Sequence, residues 1–275
     1  MRNITTITWL TFQEARRRRT ALAALLLGLA FLAFFMTGFT LISNSLNRFD
    51  NPFTRTANYN LLLMAGLYVV HFLLIMLAIF ASVDTVSGEI SSHTIQTIVT
   101  KPVQRWQVLL GKWLGLAIML VLYLGLLSGG MFLGVYLLTG YLPPNPVEGL
   151  LLLMLEALML LSVSLLCGTR FSTLTNGLVL LMLYGVAFIG SWIEQIGTLF
   201  QSDAATTLGI VTSFILPVEA VWRRAAYLME TPLARNLPSP FSMGSVPSSA
   251  MVIYAVIYVV VAWLLAARAF AKRDL

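Results

Sequence analysis

Charge is what this sequence most lacks. Only 10% of its 275 residues are Asp, Glu, Lys or Arg, against roughly 25% in an ordinary soluble domain. Hydrophobic residues make up 59%, and the mean hydropathy is +0.87. A water-soluble chain of this size needs a polar surface that such a composition cannot supply. A soluble enzyme, a nucleic-acid-binding domain and a disordered chain are therefore excluded. The single cysteine, Cys167, rules out an intrachain disulfide. Two histidines, His71 and His93, stand too far apart to suggest a metal cage. Twelve scattered methionines form no copper ladder.

Catalytic signatures are missing too. No phosphate-binding loop of the form G-x-x-x-x-G-K-[ST] occurs, since Gly111-Lys112 is followed by Trp113. There is no His-Glu-x-x-His, no paired-glutamate motif and no G-x-S-x-G. The chain is not expected to be an enzyme, to bind a cofactor or to hold a metal. Any ATP-driven function needs a second polypeptide.

What is present is a series of long uncharged runs. No Asp, Glu, Lys or Arg lies between Arg19 and Arg48, Arg55 and Asp84, Lys112 and Glu148, Arg170 and Glu194, or Arg235 and Arg268. Each is long enough for the roughly 20 residues that cross a bilayer as a helix. A sixth run, from Gly149 to Gly168, is interrupted only by Glu156. The expected fold is an all-α polytopic membrane protein with six helices near 20–43, 59–82, 108–138, 149–168, 176–200 and 248–270. All ten prolines fall outside these spans, as they should where one costs a helix interior about 3 kcal/mol. Pro143, Pro144 and Pro146 mark a tight connection between the third and fourth.

Six spans put both termini on one side. That side would hold twelve basic residues (Arg2, Arg16 to Arg19, Lys101, Arg105, Lys112, Arg170, Arg268, Lys272 and Arg273), and the other five: Arg48, Arg55, Arg223, Arg224 and Arg235. The excess places both termini in the cytoplasm. The first run is too long for a cleaved signal peptide and should stay as an anchor. No internal repeat of the transporter kind is visible.

Residues 4–19 precede the first span. Ile4, Ile7, Trp9, Leu10 and Phe12 can form one apolar face, followed by Arg16, Arg17, Arg18 and Arg19. Such a helix can lie at the inner leaflet, with Trp9 among headgroups and the arginines on anionic lipid. The alternative is a plain positive stop for the first span.

Between the second and third spans, residues 83–112 read VDTVSGEISSHTIQTIVTKPVQRWQVLLGK. Gly88 is expected to break the second span. Glu89 to Val99 then forms a short helix with Ile95, Ile98 and Val99 on one face and Glu89 favoured near its start. Pro102 suits the first position of the next helix, with Arg105, Trp106 and Lys112 as interfacial anchors. The segment is either a helix that docks a partner or a solvated hairpin.

This stretch resembles the signature of permease subunits of ATP-binding-cassette transporters of the type-two exporter class. The matching residues are Gly88-Glu89, Thr94-Ile95, Pro102-Val103, Arg105 and Gly111-Lys112. The basic amphipathic N-terminus, six spans and closing AFAKRDL (269–275) are similar too, and the overall look is closest to the multi-copper-enzyme maturation permeases. The resemblance implies that Glu89 to Lys101 is a coupling helix resting on a separate ATPase, with Gly88, Glu89, Thr94, Ile95, Ile98, Lys101 and Pro102 as its coupling residues. It further implies ATP and Mg on that partner, a second copy of this chain, a lipid environment, and a bacterial plasma membrane as the location. No nucleic-acid partner is implied.

The segment 201–247 is too long for a simple loop. Its uncharged run 204–218 is short of a crossing, and Pro217 would end a helix there. A re-entrant pair continuing through VEAVWRRAAYLM (218–229) is expected, as in the resembled class; a helix lying on the outer surface is the competing arrangement.

Glu156 and Glu194 lie inside spans, where a carboxylate is expensive. They either line a cavity or carry protons, or they pair with neighbouring helices. His71, near the middle of the second span, is expected to be a packing hydrogen bonder. Gly111-x-x-x-Gly115, Gly125-x-x-x-Gly129 and Gly130-x-x-x-Gly134 let helices approach closely, within the chain or between copies. The expected function is the permease subunit of an ATP-driven exporter. Its rivals are a gradient-driven carrier using Glu156 and Glu194, and a non-transporting scaffold.

Overall fold

A computed structural model describes residues 2–49, 51–91, 104–235 and 245–272. They form ten helices: α1 (Arg2–Arg17), α2 (Arg19–Phe49), α3 (Pro52–Ser91), α4 (Arg105–Thr139), α5 (Pro146–Gly168), α6 (Thr173–Leu199), α7 (Asp203–Ile215), α8 (Val218–Met229), α9 (Pro232–Arg235) and α10 (Ser249–Ala271). Six of them, α2 to α6 and α10, are long and apolar enough to cross a membrane. The chain is an all-α polytopic membrane protein.

Helix ends follow local chemistry. Pro52 and Pro146 open α3 and α5, where a missing N–H costs nothing. Ser172 caps α6, its hydroxyl accepting from the Thr175 amide. Gly140 stops α4 in the left-handed region at φ 69°, and its N–H donates to the Tyr136 carbonyl. Asn145, also left-handed at φ 45°, turns the chain into α5.

The six long helices differ in how much protein surrounds them. Two-thirds of the apolar window of α3 is buried, as are 61% for α5 and 56% for α4. The figure falls to 11% for α2 and 22% for α10, so α3, α4 and α5 are the inner set. Leu67, Leu74, Ile75 and Ile79 of α3 meet Leu153 and Leu160 of α5 in that core. The outer faces of α2, with Leu26, Phe34 and Leu41 exposed, are as apolar as a lipid-facing surface requires.

Two expectations about the loop are corrected. Gly88 does not break the second span, because α3 runs through it to Ser91. One glycine costs a helix only about 1 kcal/mol, and the Asp84 side chain folds into the space a Cβ at Gly88 would need. Glu89 therefore lies within the described run of α3 and not near the start of a new helix. The next helix, α4, starts at Arg105 after an extended Gln104. Thr94, Ile95, Ile98, Lys101 and Pro102 lie outside the described residues, as does His93.

Beyond α6 the chain reverses into α7, which packs along α6, and then bends by 106° at Leu216 and Pro217 into α8. α8 is interior: nine of its twelve residues are buried, Glu219 and Arg223 among them. It packs chiefly on α5, and also on α6, α10, α7 and α3.

Glu230 follows α8 and is 5% exposed. Burial pushes its carboxyl up to about 7, with Arg235 offsetting part of the effect. The folded chain thus holds this proton more tightly than the unfolded chain does. Its contribution to stability is full below the ordinary carboxyl value and is lost as pH rises to about 7. Thermal unfolding of wild type and Glu230→Gln should coincide at low pH, with the variant the more stable at pH values above about 7. A difference that is constant across that range would refute the assignment.

Candidate functional site

The bundle interior carries a polar cluster built from four helices. His71 on α3 sits between two carboxylates: its Nδ1 is 2.7 Å from Glu156 Oε2 on α5, and its Nε2 is 3.4 Å from Glu219 Oε1 on α8. All three groups are buried. The Trp222 indole stacks on the imidazole at 4.6 Å between centroids. Tyr68 packs against both rings, and Tyr184 of α6 lies beside Glu219.

A second pair joins α8 to α6. Arg223 Nη2 donates to Glu194 Oε2 at 2.6 Å, and the Ser245 hydroxyl donates to Glu194 Oε1 at 2.7 Å. Arg223 is 1% exposed and Glu194 3%. Glu219 and Arg223 are four residues apart and so share a face of α8, turned into the buried interior. Gly209 of α7 abuts Glu194 so closely that a Cβ there would overlap the glutamate side chain. Among the described residues, Arg223 Nε and Nη1 and Glu156 Oε1 are buried without a hydrogen-bond partner. Ionised groups in a dry interior cost several kcal/mol each unless paired, which explains why the cluster brings acids and bases together.

At the end of the bundle that holds both termini, the arrangement is different. Arg18 joins α1 to α3 through Asp84 at 3.5 Å and also meets Glu14 at 2.7 Å. Arg105 donates to the Ala271 carbonyl, tying α4 to the end of α10. Gly111 and Gly115 of α4 form the seat of α1. A Cβ at Gly111 would strike Ile7, and one at Gly115 would come within 2.7 Å of the Thr8 carbonyl and 3.1 Å of the Phe12 amide nitrogen. That glycine pair serves packing within the chain. Gly130 and Gly134 likewise receive Leu32 and Met36 of α2, whereas Gly125 and Gly129 face nothing within 4 Å.

The expected anchors separate. Trp9, Arg16, Arg17, Arg19 and Trp106 are exposed, and Arg18 and Arg105 partly so. Lys112 is not at an interface: it is 3% exposed and donates to the Thr85 carbonyl inside the α3–α4 contact. Its ammonium satisfies a buried backbone acceptor, which a headgroup anchor would not do. Of the intramembrane residues, His71 and Glu156 meet directly and Glu194 belongs to the neighbouring pair.

Glu219 and Arg223 were not legible as site residues. Arg223 reads as one more basic residue of an outer loop, and Glu219 as the first-turn acid of an amphipathic helix. The one available signal was their opposite charge at a four-residue spacing directly after Pro217. Among the described residues no group of three or more His, Cys, Asp or Glu is arranged to hold a metal ion.

No relative among curated proteins matches the chain. A family model does, and it covers residues 6–275, from α1 through the six long helices to the C-terminus. Its description is ABC-2 family transporter protein, a class of membrane transporters and not of catalysts, and the chain belongs to that family.

Proposed function

We propose that the chain is the membrane-spanning subunit of an ATP-driven exporter, working as a dimer with two copies of a separate ATPase. ATP and Mg sit on the partner; this chain converts closure of the ATPases into movement of its spans. Both termini and the segment from Gly88 to Pro102 face the cytoplasm, and residues 201–247 form the outer, re-entrant segment. Within the family we place the chain nearest the multi-copper-enzyme maturation permeases, on its loop residues.

The observation that carries the reading, beyond family membership, is the brace at the terminal end. α1 is seated on α4 by Gly111 and Gly115 and is joined to α3 by Arg18 and Asp84, four residues before Gly88. A force applied at Glu89 and beyond would enter α3, α4 and α1 together. The carboxylates of the rival carrier reading, Glu156 and Glu194, each have a basic partner, which favours roles inside the protein over ion coupling across the membrane.

Copurification tests the reading. Glu89→Arg or Ile95→Asp should reduce recovery of the ATPase on detergent-solubilised permease by about tenfold, the loss of about 1.4 kcal/mol of docking energy, while the membrane domain stays folded. Unchanged recovery with both variants would count against coupling through this segment.

A further inference from the structure

The His71 cluster has a proton count that its geometry dictates. A neutral imidazole carries one N–H and can donate to one carboxylate. His71 faces carboxylate oxygens with both ring nitrogens. The second contact is a hydrogen bond only if the ring carries both protons, or if one carboxyl is itself protonated. Either way His71, Glu156 and Glu219 share two titratable protons and one net negative charge. Remove one proton and one of the two contacts becomes a lone pair facing a lone pair. The 3.4 Å contact to Glu219 is the longer and the more easily broken.

The groups facing the cluster leave it to titrate as a unit. From α6, Tyr184 lies beside Glu219. From α3 and α8, Tyr68 and Trp222 cover the imidazole with uncharged rings. Arg223 on α8 is engaged by Glu194 of α6. Among the described residues, Glu156 and Glu219 are the charged groups that act on the imidazole, and α2, α4 and α10 add none. Glu156 Oε1, fully buried and without a partner among the described residues, offers a further acceptor. We propose that His71, Glu156 and Glu219 form a proton-binding site in the bundle interior, whose occupancy locks the α7–α8 hairpin onto α3 and α5. This goes beyond the permease reading and stands or falls without the ATPase.

Trp222 supplies the probe, because an imidazolium stacked on an indole quenches its emission. The purified full-length chain is titrated from about pH 5 to about pH 11, well past the range of an unperturbed histidine because two carboxylates face the ring, and the signal of Trp222→Phe is subtracted. The emission assigned to Trp222 should fall on acidification, and its midpoint should move to lower pH by about one unit or more in Glu156→Gln or Glu219→Gln. His71→Gln should abolish the transition; if that variant does not fold, the glutamine variants alone decide. Hydrogen exchange of the α8 amides, normalised to unstructured rates at each pH, should show protection about tenfold greater on the acidic side, the worth of one charge-assisted hydrogen bond. Emission and α8 protection that are both flat with pH in the folded wild type overturn the proton site. A transition without any change in α8 protection overturns the lock.

Discussion

Replacing Arg223 with alanine is expected to lower the stability of the membrane domain by about 3–5 kcal/mol, because the buried Glu194 loses its basic partner and keeps only the Ser245 hydroxyl. Glu194→Ala should cost about as much, for it strands a guanidinium that is 1% exposed. The double variant Arg223→Met/Glu194→Leu removes both charges and should recover most of the loss, since a buried pair replaced by apolar groups of similar volume is often close to neutral. Thermal unfolding in one detergent, read on all three, checks the pattern. Strict additivity of the single variants in the double would show that the two groups do not act as a pair. The magnitude rests on the 2.6 Å contact and on the position of Arg223 along an interior helix.

The second large effect concerns α1. Gly115→Leu should displace the helix from its seat, because the Thr8 carbonyl and the Phe12 amide lie where a side chain would begin. Backbone cannot swing aside as a side-chain tip can, so the overpacking cost belongs at the upper end of about 1–3 kcal/mol. Trypsin is the readout: Arg16, Arg17, Arg18 and Arg19 sit at the α1–α2 junction, and cleavage there should accelerate several-fold once α1 lifts. Gly125→Leu is the control, since a Cβ at Gly125 meets nothing within 4 Å. Equal cleavage rates in the two variants would rule out the seat.

The six spans were readable because lipid imposes one requirement on every residue of a crossing helix, and a run without charge records it. Gly88 shows where that reading fails. A glycine signals a break only when nothing compensates, and here α3 runs on through Gly88 to Ser91 with the Asp84 side chain filling the gap. Lys112 shows a second limit: its family position at the start of a span says nothing about which way the ammonium turns. The interior of α8 was the least legible. Sequence periodicity identifies a polar stripe but not its direction, and an inward stripe is decided by partners supplied from α3, α5 and α6. Glu156 and Glu194 could be flagged by position alone, whereas Glu219 and Arg223 became visible only once Pro217 had turned the chain back into the bundle.

α3 has no hinge. At 1.5 Å per residue its 40 residues make a rod about 60 Å long, roughly twice the thickness of a bilayer's hydrocarbon core, and no proline follows Pro52 within it. A bent helix would dissipate displacement locally; an unbroken one behaves as a lever with its fulcrum in the core. Pivoting by about 10° about its midpoint would carry each end through about 5 Å, half the diameter of a helix with its side chains. His71 lies close to the midpoint of that rod, so the cluster around it sits near the fulcrum, where swing is least and its short contacts can persist while the ends move.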